Sequence, residues 1–489
     1  MNRTSKLVAG LLGPILFQFI LLYFHPEGLS KQANAVLACT VWIAIWWIFE
    51  VVNISITALL PIVIFPLSGA LDIGATTASY GHKYIFLYMG GFVLAMAIEK
   101  WNLHKRIALS IINLLGTGIS TIILGFMLAT AFMSMWISNT ATSVMMLPIA
   151  LAIVNQLKDH PETPENENEL FGKALMLAIA YSASIGGMAT LIGTPPNLVL
   201  AGIVKKIYGF EISFAQWFKF GLPISILLLT ICWLYLTKVA FRFKIQEFPG
   251  GRTEIRRLLK NLGNWSYEER VVLAVFSLAA CLWIGRSYLQ NFLPNLDDTI
   301  IAIMASLILF LWPSSKKDEP IITWPEAVKM PWGIMILFGG GMALAAGFQE
   351  SGLANWIGQQ FNLLEHLPMF LLIFILVAAV NFLTEITSNL ATTAMLLPIL
   401  APMALSLGMH PYMLLVAATV AASCAFMLPV ATPPNAVVFG SGYLKIADMI
   451  RRGIWMNIIS IILLAIFTFF VLPYLWGFDP SVFPAEWKK

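Results

Sequence analysis

Residues 138–142 read Ser-Asn-Thr-Ala-Thr, and residues 388–392 read Ser-Asn-Leu-Ala-Thr. Residues 193–197 read Gly-Thr-Pro-Pro-Asn, and residues 431–435 read Ala-Thr-Pro-Pro-Asn. These polar motifs interrupt strongly apolar sequence, where polar side chains are rare unless they have a function. Two copies of each, in the same order, indicate two related halves of one chain.

A pair of glycines precedes the Ser-Asn motif in each half, at residues 90–91 and 339–340. Glycine pairs alone could recur by chance, because small residues commonly serve close helix packing in membranes. The Ser-Asn and Thr-Pro-Pro-Asn motifs are more specific than a glycine pair. We therefore interpret the pattern as an internal repeat.

The composition is that of a membrane protein. Of the 489 residues, 59% are hydrophobic and 11% are charged, whereas a soluble domain carries about 25% charged residues. The mean hydropathy is +0.82. The net charge of +4 is small and scattered through predicted loops, so we expect no nucleic-acid partner.

Apolar runs long enough to cross a bilayer recur along the chain. Two further runs, near 118–155 and 368–409, are too long for one crossing and contain the Ser-Asn motifs. We predict that each forms a re-entrant hairpin, within an all-α polytopic protein of about 11 transmembrane helices. The predicted crossings lie near 7–24, 34–50, 54–70, 84–98, 174–204, 219–240, 271–289, 298–312, 332–350, 412–442 and 454–475.

This topology places an odd number of crossings between equivalent motifs, so the two repeats are predicted to be inverted relative to each other. Inverted repeats with interrupted helices are typical of secondary transporters, whose binding site lies near the middle of the membrane. Basic residues are enriched on the cytoplasmic side, and the longest basic segment spans residues 238–270. We therefore expect a plasma-membrane protein with a cytoplasmic N-terminus and an external C-terminus.

The motifs are suited to binding an anion together with a cation. A turn at a hairpin tip leaves backbone amides free, and the start of a helix favours negative charge. Paired prolines free backbone carbonyls, and neutral oxygen ligands suit a hard cation. Because no Lys or Arg lies in any of the four motifs, co-transported cations and helix ends remain as the positive partners of an anionic substrate.

This arrangement resembles the divalent-anion:sodium symporter family, and the resemblance covers nearly the whole chain. The resemblance implies a homodimer and an elevator mechanism, in which a transport domain slides past a scaffold domain. It divides the chain into scaffold helices at 1–98, a transport part at 99–240, a cytoplasmic linker with scaffold helices at 241–350, and a transport part at 351–489. Each transport part is expected to hold a hairpin, a broken helix and an interfacial helix, the last at residues 101–115 in one part and 352–364 in the other.

The resemblance also implies which residues bind the transported species. Sodium ions are expected at two sites, one formed by Ser134, Ser138, Asn139 and Gly193 and the other by Thr384, Thr387, Asn389 and Ala431. Substrate carboxylates are expected at Ser138, Asn139, Thr140, Thr194, Pro195, Ser388, Asn389, Leu390, Thr432 and Pro433.

Two residues have more than one interpretation. Leu390 stands where dicarboxylate carriers of this family often have threonine, and it is either a repacked wall of the site or a determinant of altered substrate choice. Glu385 is either a coupling group for a proton or cation, or a hydrogen-bonded structural group.

The sequence thus predicts sodium-coupled symport of C4-dicarboxylates such as succinate, malate or fumarate across a lipid bilayer. An anion exchanger and a sulfate or tricarboxylate carrier are the alternatives, and a channel is a weaker one. An enzyme is disfavoured because no nucleophile–base pair or metal-ligand cluster is apparent.

Overall fold

A computed structural model describes residues 3–116, 118–158, 165–243, 251–316, 319–360 and 367–487. Across these ranges the secondary structure is helical, with one isolated bridge between Pro313 and Pro320. The prediction of an all-α fold is confirmed.

In the part of the chain that the structure describes, twelve α-helices, α1 to α12, precede the basic segment. Serine and aspartate side chains cap several of their N-termini, as at Ser30 before α2 and Ser213 before α12, which satisfies amide groups that the helix leaves unpaired. The helices are α1 Arg3–Tyr23, α2 Lys31–Ile48, α3 Ile54–Thr57, α4 Leu60–Ser68, α5 Ile73–Ala78, α6 Lys83–Lys100, α7 Leu103–Leu115, α8 Ile119–Ser134, α9 Asn139–Lys158, α10 Glu165–Gly187, α11 Pro195–Tyr208 and α12 Phe214–Leu234.

The described residues from 251 onward form a second set of twelve, α13 to α24. A capping box joins Ser266 to Glu269 at the start of α14. The helices are α13 Gly251–Asn261, α14 Tyr267–Leu289, α15 Asp298–Leu311, α16 Trp324–Ala327, α17 Trp332–Glu350, α18 Leu353–Gln360, α19 Met369–Thr384, α20 Asn389–Ser406, α21 Tyr412–Ala422, α22 Pro433–Phe439, α23 Ile446–Ile466 and α24 Leu472–Trp476. Short π-helical turns at Tyr235–Ala240 and Phe467–Val471 extend α12 and α23.

The protein is a multi-pass membrane protein. Within the described residues, eight helices are long and apolar enough to cross a bilayer, and five shorter helices are also apolar. The predicted crossings at 174–204 and 412–442 are each divided into two helices. The figure of eleven crossings and the inverted relation of the repeats stay predictions.

The glycine pairs allow close packing of helices. A Cβ added to Gly90 would lie 2.7 Å from the Cβ of Ala302, where α6 meets α15. A Cβ added to Gly340 would lie 2.6 Å from the carbonyl oxygen of Ala58. Because real Cβ atoms do not approach so closely, only glycine permits these two contacts.

Two buried helices, α10 and α21, pack against the hairpins. The hairpin formed by α8 and α9 packs on α10, and the hairpin formed by α19 and α20 packs on α21. The predicted interfacial helix at 101–115 corresponds to α7, and that at 352–364 corresponds to α18, although residues 361–366 lie outside the described residues. Residues 244–250, within the basic segment, also lie outside the described residues.

Candidate substrate and cation site

The turn of the first hairpin joins α8 to α9 through residues 135–138. The Ser134 hydroxyl, at the end of α8, lies 2.6 Å from Oδ1 of Asn139, the first residue of α9. The same hydroxyl lies 2.7 Å from the carbonyl oxygen of Ala183 in α10. Since one hydroxyl hydrogen faces two acceptors, this corner is rich in oxygen lone pairs.

The turn of the second hairpin has the same geometry. The Thr384 hydroxyl lies 2.8 Å from Oδ1 of Asn389 and 2.9 Å from the carbonyl oxygen of Ala422 in α21. We call these two clusters the first and second oxygen corners. The two halves therefore have equivalent hydrogen bonds as well as equivalent sequence motifs.

The first broken helix closes on the first oxygen corner. Helix α10 ends at Gly187 and α11 begins at Pro195, and we call residues 188–194 the first break loop. A Cβ added to Gly187 would lie 2.3 Å from Oδ1 of Asn139, and one added to Gly193 would lie 3.0 Å from the carbonyl oxygen of Ser134. The structure thus brings together the predicted sodium ligands Ser134, Asn139 and Gly193.

Residues 423–432 form the second break loop, between α21 and α22. The amide of Ala431 donates to the carbonyl oxygen of Leu428, and the amide of Leu428 donates to Glu385, the residue after Thr384. Thr387 bonds to the carbonyl oxygen of Leu383. Ala431 is therefore connected to the second hairpin through two hydrogen bonds.

Each break loop is fastened to its hairpin by a different chemical group. In the first half, the Thr190 hydroxyl bonds to the carbonyl oxygen of Met135. In the second half, the Glu385 carboxylate accepts from the amides of residues 426–428, at 2.8–3.0 Å, and from Nδ2 of Asn457 at 2.8 Å. Four donors to one carboxylate agree with the interpretation of Glu385 as a hydrogen-bonded structural group, and the choice between that role and a coupling role stays a prediction.

The predicted substrate residues differ in exposure. Thr140 and Pro433 are exposed, whereas Thr194, Thr432 and Leu390 are buried. The burial of Leu390 agrees with its interpretation as a wall residue. The remaining members are half-buried: Ser138, Asn139, Pro195, Ser388 and Asn389.

The two halves meet at their breaks. The Sγ atom of Cys424 lies 3.7 Å from Sδ of Met188, which joins the two break loops. Helix α9 packs on α22, and α11 packs on α20, so the post-turn helix of each hairpin contacts the broken helix of the other half. The closeness of Ser138 to Ser388 themselves stays a prediction.

Ser138 lines a cavity of about 470 Å³. Ile137 and Ala141 join it from the hairpin side. The facing wall includes Phe92, Glu99 and Lys100 of α6 together with Ile322, Glu326 and Lys329. Lys100 is paired with Glu326 at 2.8 Å. The cavity therefore places the turn of the first hairpin opposite a wall that contains charged groups.

The oxygen atoms of the two corners are uncharged. Among the described residues, no group of His, Cys, Asp and Glu is placed to hold a metal ion. Hydroxyl, carboxamide and backbone carbonyl oxygens are ligands for hard cations, and sodium is one of these. The donor set therefore fits an alkali cation better than a transition metal.

Sequence reasoning missed several contributors to the corners. The carbonyl oxygens of Ala183 and Ala422 carry no side-chain signal, since any residue supplies the same atom. Gly187 had a signal in the Gly186-Gly187 pair that precedes the first Pro-Pro motif. Thr190 had one in its position between that pair and Thr194.

A family model described as "Sodium:sulfate symporter transmembrane region" matches residues 4–476. The chain is 47% identical over 485 residues to a protein named sodium-dependent dicarboxylate transporter SdcS of Staphylococcus saprophyticus, covering 98% of this chain and 93% of the relative. It is also 47% identical over 482 residues to the protein of that name from Staphylococcus aureus strain USA300, covering 97% and 93%.

Two solved structures have a similar fold at low sequence identity. The crystal structure of the Alcanivorax borkumensis YdaH transporter aligns with a TM-score of 0.55 and 13% identity, covering 97% of this chain and 98% of that one. The structure of Neisseria gonorrhoeae MtrF aligns with a TM-score of 0.56 and 12% identity, covering 93% and 97%. These two likenesses bear on the fold alone.

Proposed function

Because this chain belongs to the sodium:sulfate symporter transmembrane family, we propose that it is a secondary active transporter that couples sodium entry to uptake of C4-dicarboxylates such as succinate, malate or fumarate. The observation that carries the proposal is the pair of equivalent oxygen corners, each at the tip of a hairpin and beside a broken helix. Relatives with 47% identity over nearly the full length, named sodium-dependent dicarboxylate transporters, support the same conclusion.

We assign one sodium site to each corner. The first uses Ser134, Ser138, Asn139 and Gly193, and the second uses Thr384, Thr387, Asn389 and Ala431. Each ion would replace the hydroxyl and carboxamide contacts that the corner now makes within itself, so that oxygen lone pairs turn toward the cation. Two such charges beside a dicarboxylate would supply the positive partner that the motifs lack.

The substrate would lie between the two tips. Its carboxylates would accept hydrogen bonds from the side chains of Ser138, Asn139, Ser388 and Asn389 and from free amides at the starts of the helices. The other residues assigned to this contact are Thr140, Thr194, Pro195, Leu390, Thr432 and Pro433. The cavity at Ser138 would be its route on one side of the membrane.

We further propose that transport proceeds by an elevator motion within a homodimer. The scaffold would comprise 1–98 and 241–350, and the moving parts would comprise 99–240 and 351–489. The protein would lie in the plasma membrane with its N-terminus in the cytoplasm and its C-terminus outside. Under that orientation the cavity at Ser138 faces the cytoplasm, because Lys100 and Lys329 lie in its wall and basic residues are enriched on the cytoplasmic side.

The test is uptake of labelled succinate into proteoliposomes with an inward sodium gradient. We expect uptake to require sodium and to stop when choline replaces it. Thr384→Val removes the hydroxyl of the second corner and should lower uptake at least about tenfold. Thr230→Val is the control, since the exposed Thr230 hydroxyl bonds only within α12, to the carbonyl oxygen of Ile226. Uptake indifferent to sodium would refute the coupling.

Sulfate deserves a direct comparison, because the family description names it. Unlabelled sulfate, citrate and succinate are to be compared as competitors of labelled succinate. We expect succinate to compete most strongly. Preloading the liposomes with succinate separates exchange from symport: uptake that needs internal substrate, with or without sodium, would identify an exchanger.

A further inference from the structure

The last residue of each Thr-Pro-Pro-Asn motif is a fully buried asparagine, at 197 and 435. Nδ2 of Asn197 donates to the carbonyl oxygens of Met188, at 3.4 Å, and Thr190, at 2.8 Å. Nδ2 of Asn435 donates to the carbonyl oxygens of Ala425, at 3.2 Å, and Leu428, at 3.0 Å. Each asparagine thus ties two carbonyl groups of its own break loop.

The amide orientation follows from these contacts. If the side chain were turned over, Oδ1 would face two carbonyl oxygens, which would repel it. The side chain therefore acts as a double donor in both halves. A hydroxyl or an apolar side chain of similar size could not make both bonds.

In the first half, the bonds made by Asn197 reach the predicted sodium ligand Gly193. Asn197 fixes the carbonyl group of Thr190, and the Thr190 hydroxyl accepts from the amide of Gly193 at 3.0 Å while it bonds to Met135. Gly193 in turn lies against the carbonyl oxygen of Ser134. A shift of Thr190 would therefore move Gly193 relative to the first oxygen corner.

In the second half, the bonds made by Asn435 converge on Leu428. The Leu428 carbonyl oxygen accepts from Asn435 and from the amide of Ala431, and the Leu428 amide donates to Glu385. The predicted sodium ligand Ala431 thus depends on the same loop residue that Asn435 holds. The two asparagines occupy equivalent places in the two halves.

We propose that Asn197 and Asn435 are positioning residues for the two sodium sites. Each would set the shape of one break loop so that its carbonyl groups meet the neighbouring hairpin, and neither would need to touch the substrate. The inference rests on the proposed function, because it assumes that the oxygen corners bind sodium. It assigns a role to the final residue of the motif, which lies outside the predicted ligand sets.

The test replaces each asparagine by leucine, which has a similar size and no donor. We expect Asn197→Leu and Asn435→Leu to raise the sodium concentration for half-maximal succinate uptake by about tenfold. At saturating sodium, the succinate KM should change less than about twofold. Asn197→Gln and Asn435→Gln keep the amide and should show a smaller rise than the leucine variants.

Asn34→Leu is the matched control. Asn34 is also buried, and its Nδ2 also donates to a backbone carbonyl oxygen, that of Ile20, but it lies in α2. In all three asparagines, Oδ1 has no partner among the described residues. Asn34→Leu should leave the sodium dependence unchanged, even where it lowers stability.

A second readout is the rise in unfolding temperature on adding sodium chloride instead of choline chloride to detergent-solubilised protein without substrate. The rise should shrink in the leucine variants and persist in Asn34→Leu. If either leucine variant fails to fold, the corresponding serine variant decides, because a hydroxyl cannot make both bonds, and an unchanged sodium dependence there overturns the proposal. An equal effect of Asn34→Leu also overturns it. Absence of any sodium effect in the unmodified protein would instead refute the proposed function.

Discussion

Glu385 is the acidic residue closest in sequence to either oxygen corner, and its carboxylate accepts four hydrogen bonds from the second break loop and Asn457. Four donors match an ionised carboxylate, which only accepts. A group held in this way fixes the position of the loop beside Thr384. At the scale of single residues, the second corner therefore depends on a carboxyl group that the first corner does not have.

Glu385→Gln tests whether that carboxylate holds the loop or carries a proton. The glutamine amide would turn a donor toward backbone donors, which leaves buried amides unpaired and costs about 3 kcal/mol. We expect a lower unfolding temperature and loss of sodium-dependent uptake at every pH between 5.5 and 8, roughly the physiological range. Glu27→Gln, at an exposed site, is the control. Full uptake that no longer varies with pH would identify Glu385 as a proton carrier instead.

The polar side chains of the two corners were predicted through the family resemblance. Ser134, Asn139, Thr384 and Asn389 were predicted as ligands, and the structure brings each serine or threonine to its asparagine. The carbonyl oxygens contributed by α10 and α21 were not predictable. Their presence depends on how two helices pack, and no residue type encodes that.

The hairpins and broken helices fit together because small residues stand where they meet. Gly187, the last residue of α10, leaves room for the carboxamide of Asn139 at the start of α9. Helix α10 ends and α9 begins at this contact, so the position of one helix end depends on the position of the other. At the scale of elements, the geometry of the first corner is therefore a packing problem.

Gly187→Ala tests this fit. The added methyl would lie 2.3 Å from Oδ1 of Asn139, so one of the two helix ends must move. Overpacking of this kind costs about 1–3 kcal/mol, and we expect sodium-dependent uptake to fall roughly tenfold or more. Gly285→Ala, in α14, is the control, because nothing lies within 4 Å of the added atom. Equal uptake by the two variants would show that the contact is unimportant.

The Pro-Pro pairs predicted breaks in two membrane helices, and α11 and α22 begin at these pairs, since proline is tolerated at the first turn of a helix and disrupts its interior. The ends of the preceding helices were harder to predict. Glycine marks the end of α10, but α21 stops at Ala422 with no local signal. The π-helical turns at Tyr235–Ala240 and Phe467–Val471 were likewise not predicted.

Across the whole molecule, a cluster of charges joins the proposed scaffold to the proposed moving part. Lys83 pairs with Glu211 at 2.6 Å and with Asp297 at 2.7 Å, and Arg286 pairs with Glu211 at 2.7 Å and with Asp298 at 3.0 Å. Burial alone would raise the pKa of Glu211, but hydrogen bonds from Lys83 and Arg286 hold that pKa below its ordinary value. Only Glu211 belongs to the proposed moving part.

If that part slides, Glu211 must leave its two partners, so the cluster should stabilise the arrangement seen here. We expect Glu211→Gln to lower the population in which the cavity at Ser138 is open. Partly exposed ion pairs contribute about 1 kcal/mol, which corresponds to a shift of roughly fivefold.

The measurement is the rate at which Ala141→Cys, in the cavity wall, reacts with a membrane-impermeant maleimide in inverted vesicles. All variants also carry Cys281→Ser, because Cys281 is exposed and would react with the maleimide, whereas the other three cysteines are buried. A slower reaction in Glu211→Gln is expected, and Glu27→Gln should leave the rate unchanged. An equal rate in all three proteins would contradict a role for the cluster.

The fold class and the transporter function were predictable because hydropathy and repeated motifs extend over the whole chain. The charge cluster was not predictable. Its members are far apart in sequence, as Lys83, Glu211 and Arg286 show. Taken singly, each indicates no more than membrane orientation or a charged loop. Their convergence depends on tertiary packing.

The two fastenings of the break loops place the polar group on opposite partners: Thr190 belongs to a loop, whereas Glu385 belongs to a hairpin. After a gene duplication, selection would then preserve the hydrogen-bonded contact between break loop and hairpin. It would not fix which of the two elements supplies the polar side chain. Ancient duplications of this type would be underestimated by matching amino acids position by position. Comparing which atoms form hydrogen bonds would detect relationships that the amino-acid sequences no longer show.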